Sequence, residues 1–147
     1  MKSFVLDASV AAKWFLPSVA EPHANEAKEL LSAYDRGQVG FSAPDVFWPE
    51  LGNVLWKAVQ RTRISVAHAE VAVSQAQSLT IRSLPSVQLL PVALKIAVAH
   101  KRAIYDSLYL AAALTIREDF VTADEKLVNA LGARYPIRWI GSWATLI

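Results

Sequence analysis

The sequence predicts an α/β fold: a three-layer sandwich with a mostly parallel central sheet flanked by helices. Short apolar strand patterns alternate with segments of helical period, and no internal repeat or low-complexity linker interrupts them. Acids stand directly after two of the strand patterns, and open parallel sheets keep their ligand sites beyond the carboxyl ends of the strands. A chain of 147 residues fits one domain, 1–147, with enough apolar material for a single core.

Ser3 to Leu6 is a buried-strand pattern ending at Asp7, and Ala8 to Leu16 reads as a short helix stopped by Pro17. From Pro22 to Arg36 the apolar side chains Ala24, Ala27, Leu30, Leu31 and Tyr34 follow helical spacing, with Gly37 as C-cap. Phe41 to Ala43 is a brief strand. Asp45 to Arg63 is mainly helix; Pro49 is comfortable only in a first turn, so the regular helix begins near Trp48. Ser65 caps the next helix, which runs to about Leu79. Val87 to Val92 reads as a strand, placed at an edge by Pro91. Leu94 to Lys101 and Asp106 to Ile116 read as helices. Phe120 to Thr122 is a strand, Glu125 to Leu131 a helix closed by Gly132, and Arg138 to Ile140 the last strand.

Hydrophobic residues make up 54% of the chain and charged ones 19%, a thinly charged surface for a protein this small. Apolar area is then left to cover, and a partner or a second copy of the chain would cover it. The formal charge of +2 permits contact with nucleic acid without arguing for it. The chain has no cysteine, which excludes a disulfide scaffold, a thiolate zinc site and a cysteine nucleophile, and is compatible with a reducing cytoplasm. The start of the chain faintly resembles a secretory signal, but Asp7 and Lys13 interrupt its apolar stretch, so it reads as the first strand and helix. No apolar run approaches the ~20 residues that span a bilayer, and no membrane association is expected.

Four carboxylates, Asp7, Glu50, Asp106 and Asp124, each sit among apolar or small residues. Such a setting costs desolvation energy unless something compensates the charge, and for four acids the simplest shared compensator is a divalent metal ion. Taken singly, Asp7, Asp106 and Asp124 are more often helix N-caps than catalysts. Glu50 resists that reading, although an ion pair with Lys57 would explain it. Ser9, Ser107 and Thr122 are ordinary capping hydroxyls that could also orient carboxylates. The five tryptophans read as core or subunit interface before base-stacking groups, and Arg61, Arg63, Lys95, Lys101 and Arg102 as solvated surface before a phosphate track.

The four settings, in order, are Val5-Leu6-Asp7-Ala8-Ser9-Val10; Pro49-Glu50-Leu51-Gly52-Asn53-Val54-Leu55-Trp56-Lys57; Tyr105-Asp106-Ser107-Leu108-Tyr109-Leu110-Ala111-Ala112-Ala113; and Val121-Thr122-Ala123-Asp124-Glu125-Lys126-Leu127. Together they resemble the PIN-domain ribonucleases, most closely the VapC toxins of bacterial and archaeal toxin–antitoxin pairs, over nearly the whole chain. Each motif alone is weak; the four in this order form a strong signal. Pro49 departs from the helix-friendly residue usual before the second acid.

The resemblance implies a PIN-like fold and endonucleolytic cleavage of RNA. It also implies a homodimer and a cognate VapB-like antitoxin that covers a groove near the site. Oxygen-only donors favour Mg2+, with Mn2+ able to substitute. Asp7 and Asp106 are expected as principal ligands and Glu50 and Asp124 as completing the cluster, with Ser9, Asn53 and Thr122 fixing carboxylate rotamers. A receiver-type phosphoacceptor domain and a haloacid-dehalogenase-like phosphatase both need a second acid near the first strand, where this chain has Ala8 and Ser9. The remaining alternative is a PIN-like module that binds RNA or a partner without cutting.

Overall fold

The structure, a computed structural model, describes residues 1–145. Among them five strands form one sheet: β1 (Lys2–Leu6), β2 (Val39–Pro44), β3 (Ile81–Leu84), β4 (Asp119–Thr122) and β5 (Ile137–Trp139). The order is β3-β2-β1-β4-β5 and every pairing is parallel. The helices are α1 (Ala8–Ala12), α2 (Ala24–Asp35), α3 (Phe47–Gln60), α4 (Val66–Ser78), α5 (Ser86–His100), α6 (Ile104–Ile116) and α7 (Glu125–Leu131). Short 3₁₀ turns at Ser18–Ala20 and Ile140–Thr145 complete the path.

The alternation of β1 explains the layering. Phe4 and Leu6 point into one core with residues of α1 to α4, whereas Val5 points into a second core with residues of α5, α6 and α7. The order reverses direction at β1: the chain first builds outward through β2 and β3, then returns to β4 on the other side of β1. Loops after β1 and β4 therefore leave the sheet toward opposite faces, which opens a crevice at their carboxyl ends.

Local chemistry sets most boundaries as the sequence predicts. Gly37 sits at φ +70° behind α2, where its amide reaches the carbonyl of Tyr34 at 2.8 Å. Ser65 caps α4 by accepting from the amide of His68 at 3.0 Å. α3 starts at Phe47, so Pro49 falls within its first turn, where an amide would have no helical partner. The first helix is shorter than expected, ending at Ala12.

One expectation is overturned. Val87 to Val92 is not a strand but part of the single helix α5, which also absorbs the segment Leu94 to Lys101 and carries Pro91 inside it. Pro91 forfeits one helical hydrogen bond. The face formed by Leu89, Ala93 and Ile96 is buried in the same core as Leu108 and Ala112 of α6, and that packing outweighs the local cost. The third strand lies earlier, at Ile81–Leu84, at one edge of the sheet.

Candidate active site

The crevice between β1 and β4 gathers the predicted acids. Asp7 follows β1 directly; its amide still bonds the carbonyl of Val121 at 3.1 Å, so the side chain projects from the end of the sheet. Its Oδ1 accepts from the amide of Ser9 at 3.3 Å and caps α1, while Oδ2 accepts from the hydroxyl of Thr122 at 2.7 Å. The Thr122 oxygen accepts in turn from the amide of Asp124 at 3.0 Å, and Asp124 Oδ1 caps α7 through the amide of Leu127 at 3.1 Å. Ser9 closes the lattice, its hydroxyl accepting from the amide of Ala123 at 3.2 Å. Asp7 and Asp124 are thus helix caps as well as candidate site residues. Asp106 is not a cap: it lies in the first turn of α6, behind Ala103.

Glu50 enters from the first turn of α3 and is half-buried. No ion pair joins it to Lys57 among the described residues. Its Oε1 is buried without a hydrogen-bond partner among the described residues, as is the hydroxyl of Tyr109. The two are close enough for the phenol to favour the Glu50 carboxylate, but they do not meet in hydrogen-bond geometry. Asn53, one turn along α3, is exposed and makes no hydrogen bond to any of the four acids among the described residues.

Electrostatics tie the acids together. The Asp7 side chain keeps an exposed edge, yet protein encloses its carboxyl. Burial raises its pKa, the Thr122 and Ser9 hydrogen bonds pull it down, and the Asp106 charge raises it again. Glu50 is raised first by burial and then by Asp7 and Asp106. Asp106 is raised by burial and by Asp124, and is partly relieved by Arg102. Burial, with the Asp7 and Glu50 charges, also holds the Tyr109 phenol far above its ordinary range. All four acids therefore share one field, with Arg102 as the nearby cation that these couplings reveal.

The donor set fits a hard divalent cation. It offers carboxylate oxygens and no sulfur or imidazole, several of its acids carry uncompensated repulsion, and Glu50 Oε1 has no partner. As the side chains stand, no three acids or histidines among the described residues are close enough together to hold a metal ion. Mg2+ does not require such a cage, because it commonly binds through one or two carboxylates and keeps water in the rest of its shell.

Three residues near the acids were not singled out from sequence for the parts they take here. Tyr109 stands one helical turn after Asp106, a spacing that places both on one face of α6, so this signal was available. Tyr105 and Arg102 precede Asp106 closely, but nothing in the sequence says which way they turn.

The PIN domain model matches residues 4–131, a span that holds all four acids, and the chain belongs to that family. No curated protein matches the sequence. Among solved structures, the chain is similar to PAE2754 from Pyrobaculum aerophilum, with a TM-score of 0.67 and 20% identity over 96% of this chain and 92% of the other. It is also similar to a chain of a toxin–antitoxin complex from Klebsiella pneumoniae, with a TM-score of 0.58 and 17% identity over 92% of this chain and 95% of that one. At such identities the two likenesses establish the fold alone.

Proposed function

We propose that the protein is a metal-dependent endoribonuclease and the toxin of a toxin–antitoxin pair. The observation that carries this reading is the set of four acids gathered at the β1/β4 switch point, where burial raises the pKa values of Asp7, Glu50 and Asp106 and one buried oxygen of Glu50 has no hydrogen-bond partner among the described residues. A bound Mg2+ or Mn2+ would supply the missing positive charge, acidify water and stabilise charge developing on a phosphodiester. Asp7 and Asp106 would hold it, and Glu50 and Asp124 would complete the site directly or through water. Thr122 and Ser9 hydrogen-bond the Asp7 carboxylate and would keep it in one orientation, and Glu50 and Asp124 would help position the attacking water.

Two apolar surfaces support the partners. On α5 the exposed residues Val87, Leu90, Leu94 and Val98 form one stripe at helical spacing, the kind of face a homodimer buries. Between α3 and α4 lies an open groove lined by Leu55, Trp56, Val59, Val66 and Val73, with Trp56 56% exposed. The groove is where an antitoxin segment would lie; the Klebsiella pneumoniae structure is itself a complex of toxin with antitoxin. No helix among the described residues is long and apolar enough to cross a membrane; the toxin reading itself implies a single-domain protein that acts on RNA in the cytoplasm.

The test is incubation of folded cellular RNA with the protein and Mg2+ or Mn2+, beside an EDTA control and Asp106→Asn. Discrete fragments that need both the metal and Asp106 are expected. Intact RNA under all conditions would favour a catalytically silent RNA- or protein-binding module.

A further inference from the structure

A cavity of about 370 Å3 opens beside the acids, lined by Val46, Pro49, Glu50, Asn53 and Tyr105. Two of its walls continue the acid site: Glu50 belongs to both, and Tyr105 immediately precedes Asp106. Its size falls at the lower end of small-ligand sites. The lining is mostly apolar and carries one acid and no lysine or arginine. Such a wall repels a phosphate and suits the neutral part of a nucleotide.

Two side chains there are unspent. Tyr105 is 56% exposed at the mouth, and its ring makes no aromatic contact and its hydroxyl no hydrogen bond among the described residues. Unpaired bases stack on exposed aromatic rings of this kind. Asn53 presents an amide, donor and acceptor together, that makes no side-chain hydrogen bond among the described residues, one helical turn from Glu50. Amides read base edges through that pair of groups. Positive charge lies elsewhere, at Arg102, whose field reaches Asp106.

We infer that this cavity is a nucleobase subsite: it receives one unpaired base of the RNA next to the cut, Tyr105 stacking on its face and Asn53 reading its edge. The inference rests on the nuclease reading for its substrate, and it makes Tyr105 and Asn53 determinants of sequence preference. Phosphates would run past Arg102 while the base turns into the cavity.

Two measurements test it. In the first, the Asp106→Asn chain with Mg2+ is titrated into short unpaired RNAs carrying 2-aminopurine at successive positions. One position should be quenched on binding. Adding Tyr105→Ala should abolish that quench and weaken binding by roughly 5- to 100-fold, the value of one base–aromatic stack, while Tyr105→Phe should keep both. Unaltered quenching and affinity in the alanine variant, or no binding by the parent chain, would overturn the subsite. In the second, the wild type and Asn53→Ala cut a pool randomised around one scissile bond. A base preference flattened by the substitution supports the subsite, and an unchanged preference removes Asn53 from it. A wild type that cuts nothing defeats the nuclease reading alone, since the fluorescence still reports on the cavity.

Discussion

Thr122 and Asp7, 115 positions apart, are joined by a 2.7 Å hydrogen bond in which the threonine hydroxyl donates to Asp7 Oδ2. The same oxygen of Thr122 accepts the Asp124 amide at 3.0 Å, so one fully buried side chain bonds to two acids that follow neighbouring strands. Thr122→Val removes the donor and the acceptor while keeping the shape. RNA cleavage should fall roughly 10- to 100-fold, the usual effect of losing a group that orients a ligand, whereas Thr122→Ser should retain most activity. Equal rates in Thr122→Val and the wild type would show that Asp7 needs no such support.

Burial of the acids, with their mutual repulsion added, makes a prediction about stability without metal. The folded pKa values of Asp7, Glu50 and Asp106 are raised, so in the window between the unfolded and the folded values the native state binds more protons than the unfolded chain. Stability in EDTA should therefore fall as pH rises from the unfolded carboxylate pKa through the raised folded values, then level off. Asp106→Asn removes one of the charges and should raise the metal-free Tm near neutral pH, by about 2–4 °C for a gain on the order of 1 kcal/mol. Mn2+ should raise the wild-type Tm and have less effect on this variant. Thermal melts across pH, with and without Mn2+, decide the matter; stability rising with pH in EDTA would contradict the electrostatics.

Lys13 interrupts the apolar start of the chain and proves to be structural. It is 5% exposed, and its ammonium donates to Glu21 at 3.0 Å and to the carbonyl of Pro22 at 2.6 Å. Arg63 reaches the other oxygen of Glu21 at 3.3 Å, so the cluster ties α1 to the segment before α2 and to the end of α3. Lys13→Ala should destabilise by about 3 kcal/mol, because removing one partner of a buried pair strands the other. Urea unfolding measures this; a loss below about 1 kcal/mol, the range of exposed pairs, would mean that Arg63 alone holds Glu21.

Gly52 offers a test of the groove between α3 and α4. A Cβ built there meets nothing within 4 Å, so the isolated chain gains nothing from glycine at this interior helical position. Gly52→Ala should stabilise the protein by about 0.5–1 kcal/mol. If a partner helix lies against this stretch, the same change should weaken its capture, measured by titration with the antitoxin. Gly52→Trp should block capture outright and leave RNA cleavage by the free chain intact.

Much of the site was legible because its groups announce themselves locally. Asp7 and Asp124 each stand where a strand hands over to a helix, and Glu50 stands between tryptophan, proline and leucine, where a charge is out of place. The misplaced third strand shows the limit. Val87 to Val92 has β-branched, apolar composition and a proline, so local propensity points to a strand, and only burial of Leu89, Ala93 and Ile96 beside α6 makes it helix. Ile81–Leu84 has too few apolar residues to declare itself and is a strand because the edge of β2 is there to pair with it.

By itself, then, the sequence determined the layered α/β class and most of the helix and strand boundaries, and it marked the four acids as candidates, because these follow from periodicity, capping chemistry and the cost of a charge in an apolar setting. The tertiary structure alone decided that Thr122 holds Asp7, that the oxygen of Glu50 stays unpaired beside Tyr109, that Asn53 bonds none of the acids, and that Tyr105 stands open at a cavity. Each of these is a relation between side chains on different elements or a direction in space. Both are fixed by the sheet order and by packing, which no local pattern of residues encodes.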